Sequence, residues 1–429
     1  LDGIPEDFCF DELPEDFDHF QPILEHAMQR VPIMAKVGLR KFFNGPEGFT
    51  PDQRYYLGET SELPGFYVLA GFNSIGIQSG GGAGKALAAW IDGGEMPFDL
   101  TAVDVQRAGS HEAKQNFLVP RVTEALGLLY AMHWPGREFE TSRNVFLSPI
   151  HQETEAVGAV FGAVAGQERP NWYAQASQAR VYDYSYGRTN WFQNVALEHC
   201  ATRNAVGLFD QSSFGKFLVE GQDALACLER LSANCIDVPN ERVIYTQWLN
   251  TKGGIEADLT VTRLDTDRFL VTTGAAVSKR DFTRLSRMAH SFKDVAITDV
   301  SRKFAVIGVM GPRARELLQP LTELDLENSA FRFGRVKVAR VAEVSCRLTR
   351  ISYVGELGWE VSCLAGEAPR LWRALYNADS KLGVVPAGMY AMNTLRLEKG
   401  YRHWGHDISP EDNPYEAGLD FFLRLDKSV

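Results

Sequence analysis

The glycine-rich segment Gly71–Lys85 constrains this chain more than any other feature, because glycines occupy positions 80, 81, 82 and 84. It follows the strand-like segment Phe66–Gly71 and precedes the helix-forming segment Ala86–Ile91. Glycine lets a backbone approach a ligand closely, and the first turn of a helix offers free N–H groups and a positive dipole end. The pattern therefore predicts a loop and helix start that bind an anionic group. The spacing is not G-x-G-x-x-G, and a glycine-rich surface turn before an ordinary helix is the alternative.

Length and charge exclude several classes of protein. With 429 residues the chain is expected to hold two or three domains, since one core seldom serves more than about 300 residues. The net charge of -11 argues against nucleic-acid binding, and no run approaches the roughly 20 apolar residues of a membrane span. Six scattered cysteines without a C-x-x-C pair indicate free, buried thiols of a reducing compartment, a bacterial cytoplasm or a mitochondrial matrix.

Both ends of the sequence are typical of a piece of a longer protein. The chain begins at Leu1 with an acidic, proline-rich segment and enters a helical pattern at Phe17 without a preceding dinucleotide fingerprint. It stops soon after Leu419–Leu425, which alternates as a strand does. We expect a fragment that lacks sequence at both ends.

The order of the predicted elements indicates an α+β chain. Residues 17–31 have helical spacing, Lys41–Asn44 is strand-like, and a connector over residues 101–170 holds one helix, Val119–Met132. After it, strands and helices intermix without a βαβ rhythm. The predicted strands are Gly215–Gly221, Tyr245–Asn250, Leu259–Leu264, Arg268–Thr273 and Phe304–Val309, and the predicted helices are Ala224–Leu231, Ser278–Ala289, Pro312–Leu318 and Pro369–Asn377.

Three further segments carry groups suited to chemistry. Asp258 follows a glycine turn at the start of a strand, where a carboxylate can hold a charge beside a ligand; an ordinary turn residue is the alternative. Arg350–Glu360 brings together an aromatic residue, a glycine bend and two carboxylates four residues apart. Leu395–Asp407 places His403 and His406 beside Asp407, but no third cluster of matching spacing stands nearby, so we predict no metal site.

Taken in order, these segments resemble the sarcosine dehydrogenase and dimethylglycine dehydrogenase family, flavoproteins with a folate-binding half similar to the glycine-cleavage T-protein. The resemblance covers nearly the whole chain. Gly71–Lys85 is similar to the end of the FAD-binding domain, and Asn44–Asp52 is similar to a loop that approaches the flavin ring. Val206–Lys216 and the segments around Asp258, Glu360 and Arg396 are similar to the T-protein fold. Arg402–Asp407 looks closer to the sarcosine branch.

The resemblance implies three parts. Residues 1–100 would be the C-terminal part of an FAD-binding oxidoreductase domain, and residues 101–170 a connector. Residues 171–429 would be a T-protein-like folate-binding domain of mixed sheets and helices, truncated at its C-terminus. The FAD-binding residues that the resemblance implies are Asn44, Gly45, Pro46, Asn73, Ser74, Gly76, Gly80, Gly81, Gly82 and Lys85.

The resemblance also implies a folate site. Asp258 would be the catalytic carboxylate beside the reactive folate nitrogen, with Tyr245 in the same pocket, and Tyr353 and Glu360 would hold the pterin. A carboxylate suits that role because it can accept two parallel N–H bonds from a planar donor pair. The chain departs from T-proteins at Met392–Asn393, where they carry an Arg-Asp pair, and at Thr272–Gly274, where they carry an Asn. The arginine that T-proteins carry at the position of Met392 is absent here, which argues against a lipoyl-protein substrate.

The implied function is FAD-dependent oxidative demethylation of sarcosine or dimethylglycine, with transfer of the one-carbon unit to tetrahydrofolate. Two sites in one chain would raise the probability of capture before the iminium ion hydrolyses to formaldehyde. The implied electron acceptor is an electron-transfer flavoprotein or oxygen, and the fragment alone is not expected to oxidise amines. The alternatives are a non-catalytic protein like the regulatory subunit of pyruvate dehydrogenase phosphatase, and a folate-dependent methyltransferase with a vestigial flavin half.

Overall fold

The computed structural model describes residues 7–9 and 11–427, and its helices and strands confirm the predicted α+β class. The helices are α1 (Phe17–Arg30), α2 (Gly76–Gly93), α3 (Gln115–Leu128), α4 (His151–Ala156), α5 (Phe192–Asn204), α6 (Ala224–Leu231), α7 (Ser278–Ala289), α8 (Ala314–Leu318), α9 (Ala368–Tyr376) and α10 (Met389–Glu398). The strands are β1 (Tyr56–Glu59), β2 (Tyr67–Ala70), β3 (Ala159–Val164), β4 (Gln167–Tyr173), β5 (Val206–Asp210), β6 (Gly215–Glu220), β7 (Arg242–Leu249), β8 (Ile255–Asp265), β9 (Arg268–Thr273), β10 (Ala296–Asp299), β11 (Phe304–Met310), β12 (Val336–Val341), β13 (Val344–Thr349), β14 (Gly358–Leu364) and β15 (Val384–Pro386).

The N-terminal part is a small unit in which α2 packs on the β1–β2 hairpin. Ala83, Ala86 and Trp90 recur at helical spacing on one face of α2, and they pack with Leu57 and Leu100 in a small core. In the part of the chain that the structure describes, no helix is both long and apolar enough to cross a membrane.

The glycine cluster lies inside α2, so the predicted loop before a helix at Ala86–Ile91 is wrong. The helix begins at Gly76, and positions 80, 81, 82 and 84 fall in its second and third turns. Helical glycine costs about 1 kcal/mol relative to alanine, which made a loop the local expectation. The buried alanines and Trp90 on the opposite face supply the packing that offsets this cost.

Two other predicted strands are wrong. Lys41–Asn44 forms only an isolated bridge, through Asn44 to Leu13, because no neighbouring strand extends it. Leu419–Leu425 contains a 3-10 turn over Asp420–Phe422. There Leu419 is buried beside Ile255 and Ile408 and Phe422 packs partly against them, whereas Phe421 and Leu425 are exposed.

The C-terminal part contains two sheets. The five-stranded sheet has the order β10-β6-β9-β8-β7 and packs one face on α6 and α7. The six-stranded sheet has the order β12-β13-β14-β11-β5-β15 and packs one face on α8 and α9. The predicted helices Ala224–Leu231 and Ser278–Ala289 and the predicted strand Arg268–Thr273 are confirmed at both ends, and the other predicted elements of this part are present with shifted ends.

Alternation along the strands determines which side chains face the helices. On β8, Ala257, Leu259 and Val261 belong to the helix-covered core, which turns Asp258 to the opposite face. On β14, Trp359 and Val361 belong to the other core, which turns Glu360 away from it. Each sheet therefore presents one of the two predicted carboxylates on the face that its helices do not cover.

The two parts are joined through α7. Arg287 forms an ion pair with Glu59, and its Nη2 donates to the carbonyl of Thr60 at 2.9 Å. Lys279 donates from Nζ to the carbonyl of Ala108 at 3.0 Å. The hairpin unit is thus held against the helix that covers the five-stranded sheet.

Candidate folate and one-carbon site

A cavity of about 1910 Å³ lies between the uncovered faces of the two sheets. It takes its walls from β7 and β8 on one side and from β13 and β14 on the other, with further residues from α10 and the segment 399–427. The four residues predicted to bind folate, Tyr245, Asp258, Tyr353 and Glu360, all line it. The fold thus brings two pairs of residues that lie about a hundred positions apart in the sequence into the same cavity.

Asp258 is held by its cross-strand neighbour. Gln247 is its partner in the β7–β8 register, and Gln247 Nε2 donates to Asp258 Oδ1 at 3.0 Å. Burial raises the pKa of Asp258 to about 6, although hydrogen bonding to Tyr245 and Gln247 acts in the opposite direction. The carboxylate is therefore mainly ionised at neutral pH, and it is a stronger base than an exposed aspartate.

Glu360 is held in the same manner from the other sheet. Gln211, just after β5, donates from Nε2 to Glu360 Oε1 at 3.1 Å. Burial raises the pKa of Glu360 to about 7, against the lowering effects of Gln211 and the ammonium of Lys216. Lys216 is 2% exposed and donates to the carbonyls of Ser212 and Phe214 at 2.9 and 2.7 Å. Its charge stays near Glu360 without a direct ion pair.

The aromatic residues of the site are fixed by backbone and ring contacts. The hydroxyl of Tyr353 donates to the carbonyl of Arg402, and its ring stacks on Tyr401 with centroids 6.1 Å apart. Tyr245 meets Phe422 edge-on at 4.7 Å. Burial raises the pKa of both tyrosines, so both hydroxyls keep their protons.

The segment with two histidines forms a charged corner beside the site. Asp407 pairs with Arg396, and the rings of His403 and His406 lie 4.2 Å apart. Burial lowers the pKa of His403 to about 4, so its imidazole is neutral. Among the described residues there is no group of three or more potential metal ligands.

The departures from the T-protein pattern change the packing of α10. Met392 is buried in a cluster with Phe209 and Leu395. Asn393 accepts a hydrogen bond from Arg396 Nε at 2.8 Å. Both residues also line the cavity, so they present an apolar and a neutral polar side chain where an Arg-Asp pair would place charge.

The residues predicted to bind FAD fall in two adjoining segments. Asn73 Oδ1 accepts from the Thr50 backbone N at 2.8 Å, and Ser74 Oγ donates to Glu47. These bonds place the loop containing Asn44, Gly45 and Pro46 beside the start of α2, where Gly76 is the first residue. Asn73 and Ser74 have φ of 50° and 65°, so this turn holds two side chains in the left-handed region.

One side of α2 is open. At 3.6 residues per turn, Gly81 and Gly84 lie opposite the buried Ala83, Ala86 and Trp90, and Gly80 and Gly82 lie on the two flanks. A Cβ built on any of these four glycines meets nothing within 4 Å, and Ile77 and Lys85 are exposed. Bare backbone of this kind would let a flat group such as part of a flavin nucleotide approach, and the N–H groups of the first turn would face its phosphates.

The cavity likewise fits a pterin. The Oε1 atoms of Gln211 and Gln247 are buried and lack a hydrogen-bond partner among the described residues. Such atoms normally find a donor. Because both atoms are buried and Gln247 lies outside the cavity lining, the acceptors open to a ligand are the carboxylates of Asp258 and Glu360, which suit the N–H groups of tetrahydrofolate.

Gln211, Gln247 and Lys216 are the residues of the site that sequence reasoning missed. A signal for Gln247 was available, since it stands two residues after Tyr245 and so shares its face of β7. Gln211 and Lys216 lie in the segment Val206–Lys216, which was identified only as a whole.

Family models match three consecutive stretches of the chain. The model described as GCVT N-terminal domain matches residues 150–427. Those described as FAD dependent oxidoreductase central domain and FAD dependent oxidoreductase match residues 93–148 and 3–90.

Two curated proteins are similar to nearly the whole of this chain. The chain is 46% identical over 418 residues to the 4-methylaminobutanoate oxidase (formaldehyde-forming) of Paenarthrobacter nicotinovorans, covering 97% of the chain and 51% of that protein. It is 33% identical over 465 residues to the mitochondrial sarcosine dehydrogenase of Homo sapiens, covering 99% of the chain and 51% of that protein. The chain thus spans about half the length of these relatives.

A solved structure supports the architecture of the C-terminal part. The glycine cleavage system aminomethyltransferase T from Bartonella henselae is similar with a TM-score of 0.55 and 28% identity, over 66% of this chain and 70% of that one. Since the GCVT model matches more than half of the chain and FAD dependent oxidoreductase models match the residues before it, the chain belongs to the family that joins an FAD dependent oxidoreductase part to a folate-binding GCVT part.

Proposed function

We propose that this chain is the folate-binding half, with the adjoining end of the flavin half, of an enzyme that demethylates an N-methylated amino acid and transfers the one-carbon unit to tetrahydrofolate. The observation that carries the proposal is the pair of half-buried carboxylates that the two sheets direct into one cavity. Asp258 and Glu360 come from different sheets, line one cavity and are each held by a glutamine.

Asp258 is proposed as the group that handles charge and protons during transfer. Bound flavin supplies a two-electron oxidation of the amine, and bound tetrahydrofolate supplies the nitrogens that accept the one-carbon unit. Asp258, ionised and in a site of low dielectric, stabilises a cationic one-carbon donor. With its pKa raised to about 6, it also accepts the proton that a folate nitrogen must lose.

Glu360 and Tyr353 are proposed as the groups that orient the pterin. The ionised form of Glu360 accepts two N–H bonds from a planar donor pair, and Gln211 fixes the rotation of its carboxylate. The ring of Tyr353, held through its hydroxyl to Arg402, supplies a rigid apolar wall. Positioning of this kind is worth several powers of ten in rate when both reactants are held correctly.

The flavin part of the proposal rests on the open face of α2. Gly76, Gly80, Gly81, Gly82 and the Asn44–Pro46 loop are proposed to contact FAD, with Asn73 and Ser74 holding the two segments together. The division at residues 100 and 170 remains part of this proposal, as does a cytoplasmic or mitochondrial-matrix location.

The amino acid is proposed to be sarcosine, dimethylglycine or a longer N-methylated amino acid. The relatives named above differ in this respect, since one is named for 4-methylaminobutanoate and the other for sarcosine. The electron acceptor is proposed to be an electron-transfer flavoprotein or oxygen.

The decisive experiment measures formaldehyde. In a polypeptide that carries this chain and a complete flavin domain, turnover of sarcosine, dimethylglycine or 4-methylaminobutanoate should release formaldehyde, and added tetrahydrofolate should suppress that release. Asp258→Asn should leave flavin reduction by the amine within about twofold and abolish the suppression. Equal loss of both activities would contradict the assignment of Asp258 to a separate site, and the absence of both activities before substitution would favour the regulatory alternative.

A further inference from the structure

Arg169 is a cationic side chain of the cavity without a hydrogen-bond or ion-pair partner among the described residues. Arg169 lies on β4, opposite Gly162 in the β3–β4 register, and lines the same cavity as Asp258 and Glu360. Its Nε is buried without a hydrogen-bond partner, and among the described residues no carboxylate oxygen lies within 4.0 Å of its guanidinium. By contrast, Arg143, which lies near the same hairpin, forms an ion pair with Glu168 at 2.5 Å.

Glu138 is the carboxylate that interacts most strongly with the charge of Arg169, but both of its oxygens already accept hydrogen bonds from other groups. Its Oε1 accepts from Asn171 Nδ2 at 2.9 Å, and its Oε2 accepts from the Ala163 backbone N at 3.2 Å. Asn171 Nδ2 also lies 3.0 Å from the Tyr182 hydroxyl and 3.3 Å from that of Tyr390. Glu138 thus offsets the charge of Arg169 without bonding to it.

A guanidinium with a buried, unpartnered Nε is costly. Desolvation of an ion costs several kcal/mol in proteins, and that cost is recovered only when the ion is paired and hydrogen-bonded. The guanidinium has five donors in a planar fork whose best complement is a carboxylate. Neighbouring His403 adds no competing charge, because its imidazole is neutral.

We propose that Arg169 is the receptor for a carboxylate of a ligand that enters this cavity. This inference rests on the proposed function. Two ligands of that function bring a carboxylate, the amino acid that delivers the one-carbon unit and the glutamyl tail of the folate. In both, the carboxylate is separate from the reacting atoms, so Arg169 would anchor the ligand and leave Asp258 free for chemistry.

The experiment uses this chain and calorimetry with matched ligand pairs. The folate pair is 5-formyltetrahydrofolate and the corresponding 5-formyltetrahydropteroyl amide, in which a neutral carboxamide replaces the glutamyl residue and no carboxylate remains. The amino acid pair is sarcosine and sarcosinamide, titrated into the chain saturated with 5-formyltetrahydrofolate. Arg169→Met removes the charge at similar length. We expect it to weaken binding of one carboxylate-bearing ligand by about 10- to 100-fold and to leave its carboxylate-free counterpart within about threefold.

The pair that responds identifies the source of the carboxylate, and Arg169→Lys should recover part of the lost affinity. The matched control is Arg347→Met, because Arg347 also lines the cavity but has its guanidinium over the ring of Phe304, 5.6 Å from the centroid. It should change affinity by less than about threefold. An equal loss of affinity in the Arg169 and Arg347 variants would overturn the proposal, because it would show that the ligand responds to the total charge of the cavity and not to Arg169.

Stability provides an independent readout. Because Arg169 donates no hydrogen bond to the described residues, Arg169→Met should keep or raise the melting temperature. Loss of folding together with loss of both members of each pair would show a structural role and overturn the proposal, as would unchanged affinity for all four ligands. If the unsubstituted chain bound no folate, the proposed function would fail first and this inference with it.

Discussion

Gln247 and Asp258 face each other across the β7–β8 pair, and the Gln247 amide donates to the carboxylate at 3.0 Å. The relationship fixes both the rotation of Asp258 and part of its acidity. Because a hydrogen bond to the ionised form lowers a carboxyl pKa, Gln247 counteracts the rise that burial causes. The same arrangement recurs with Gln211 and Glu360 on the other sheet.

Gln247→Leu should shift the pH dependence of one-carbon transfer to higher pH. Without the donor, the pKa of Asp258 rises further above about 6, so more of the carboxyl is protonated at neutral pH. The measurement is the fraction of released formaldehyde captured by tetrahydrofolate between pH 5.5 and 8.5, in the polypeptide with a complete flavin domain. An unchanged midpoint would show that Asp258 does not carry the transferred proton. Flavin reduction measured in the same samples is the control.

Glu360→Gln should weaken folate binding by about 10- to 150-fold, because the ligand loses a charged acceptor worth about 1.5 to 3 kcal/mol. Glu356→Gln should change affinity by less than about threefold. Glu356 does not line the cavity and pairs with Arg203 at 2.9 Å. Its substitution should therefore lower the free energy of unfolding by about 1 kcal/mol. Calorimetry measures the two affinities, and urea unfolding measures the stability of the Glu356 variant. A larger loss of affinity in Glu356→Gln than in Glu360→Gln would show that Glu360 is not the carboxylate that binds the pterin.

Folate affinity should rise as the pH increases from 6 to 8. The pKa of Glu360 is raised to about 7, so below that value the free site holds a proton that must leave before the carboxylate can accept two N–H bonds. The dissociation constant should fall by at most about tenfold per pH unit over the lower part of this range and then level off. Glu360→Gln should remove this part of the slope. Affinity that falls with pH would indicate that Glu360 binds the ligand in its protonated form.

Gly82→Val should abolish or strongly weaken FAD binding while this chain still folds. A Cβ at position 82 meets nothing within 4 Å, so the substitution should change the free energy of unfolding by less than about 1 kcal/mol. The branched side chain would instead occupy the space proposed for the cofactor. Flavin content is measured by absorbance in the polypeptide with a complete flavin domain. Gly127→Val is the control, since position 127 is also an open helical glycine, and normal flavin content in the Gly82 variant would refute the assignment.

Much of the C-terminal fold followed from periodicity. Strand β9 and helices α6 and α7 were predicted at both ends, because their apolar spacing and their flanking turns agree. The convergence of Asp258 and Glu360 on one cavity came only from resemblance, since the two residues lie on different sheets. Periodicity specifies the face of a strand but gives no information on which strands lie opposite one another.

The errors have local physical causes. At Gly80–Gly82 the cost of helical glycine predicted a loop, but burial of Trp90 and two alanines against the hairpin outweighs that cost. At Leu419–Leu425 alternating apolar residues predicted a strand, but the chain turns over Asp420–Phe422 and anchors Leu419 and Phe422 in a small core instead. Arg169 was not singled out because nothing in its sequence neighbourhood distinguishes it from an exposed arginine.

Helix α7 contacts both regions that are proposed to bind cofactors. At its N-terminal end, Asp281 accepts a hydrogen bond from Thr273, which lines the folate cavity. Toward its C-terminal end, Arg287 binds Glu59 and Thr60 of the hairpin that supports the glycine helix. A helix is stiff over this length, so the helix acts as a spacer of fixed length between the proposed flavin face and the folate cavity. The distance that a one-carbon unit has to travel would then be set by the fold and would be the same in every turnover.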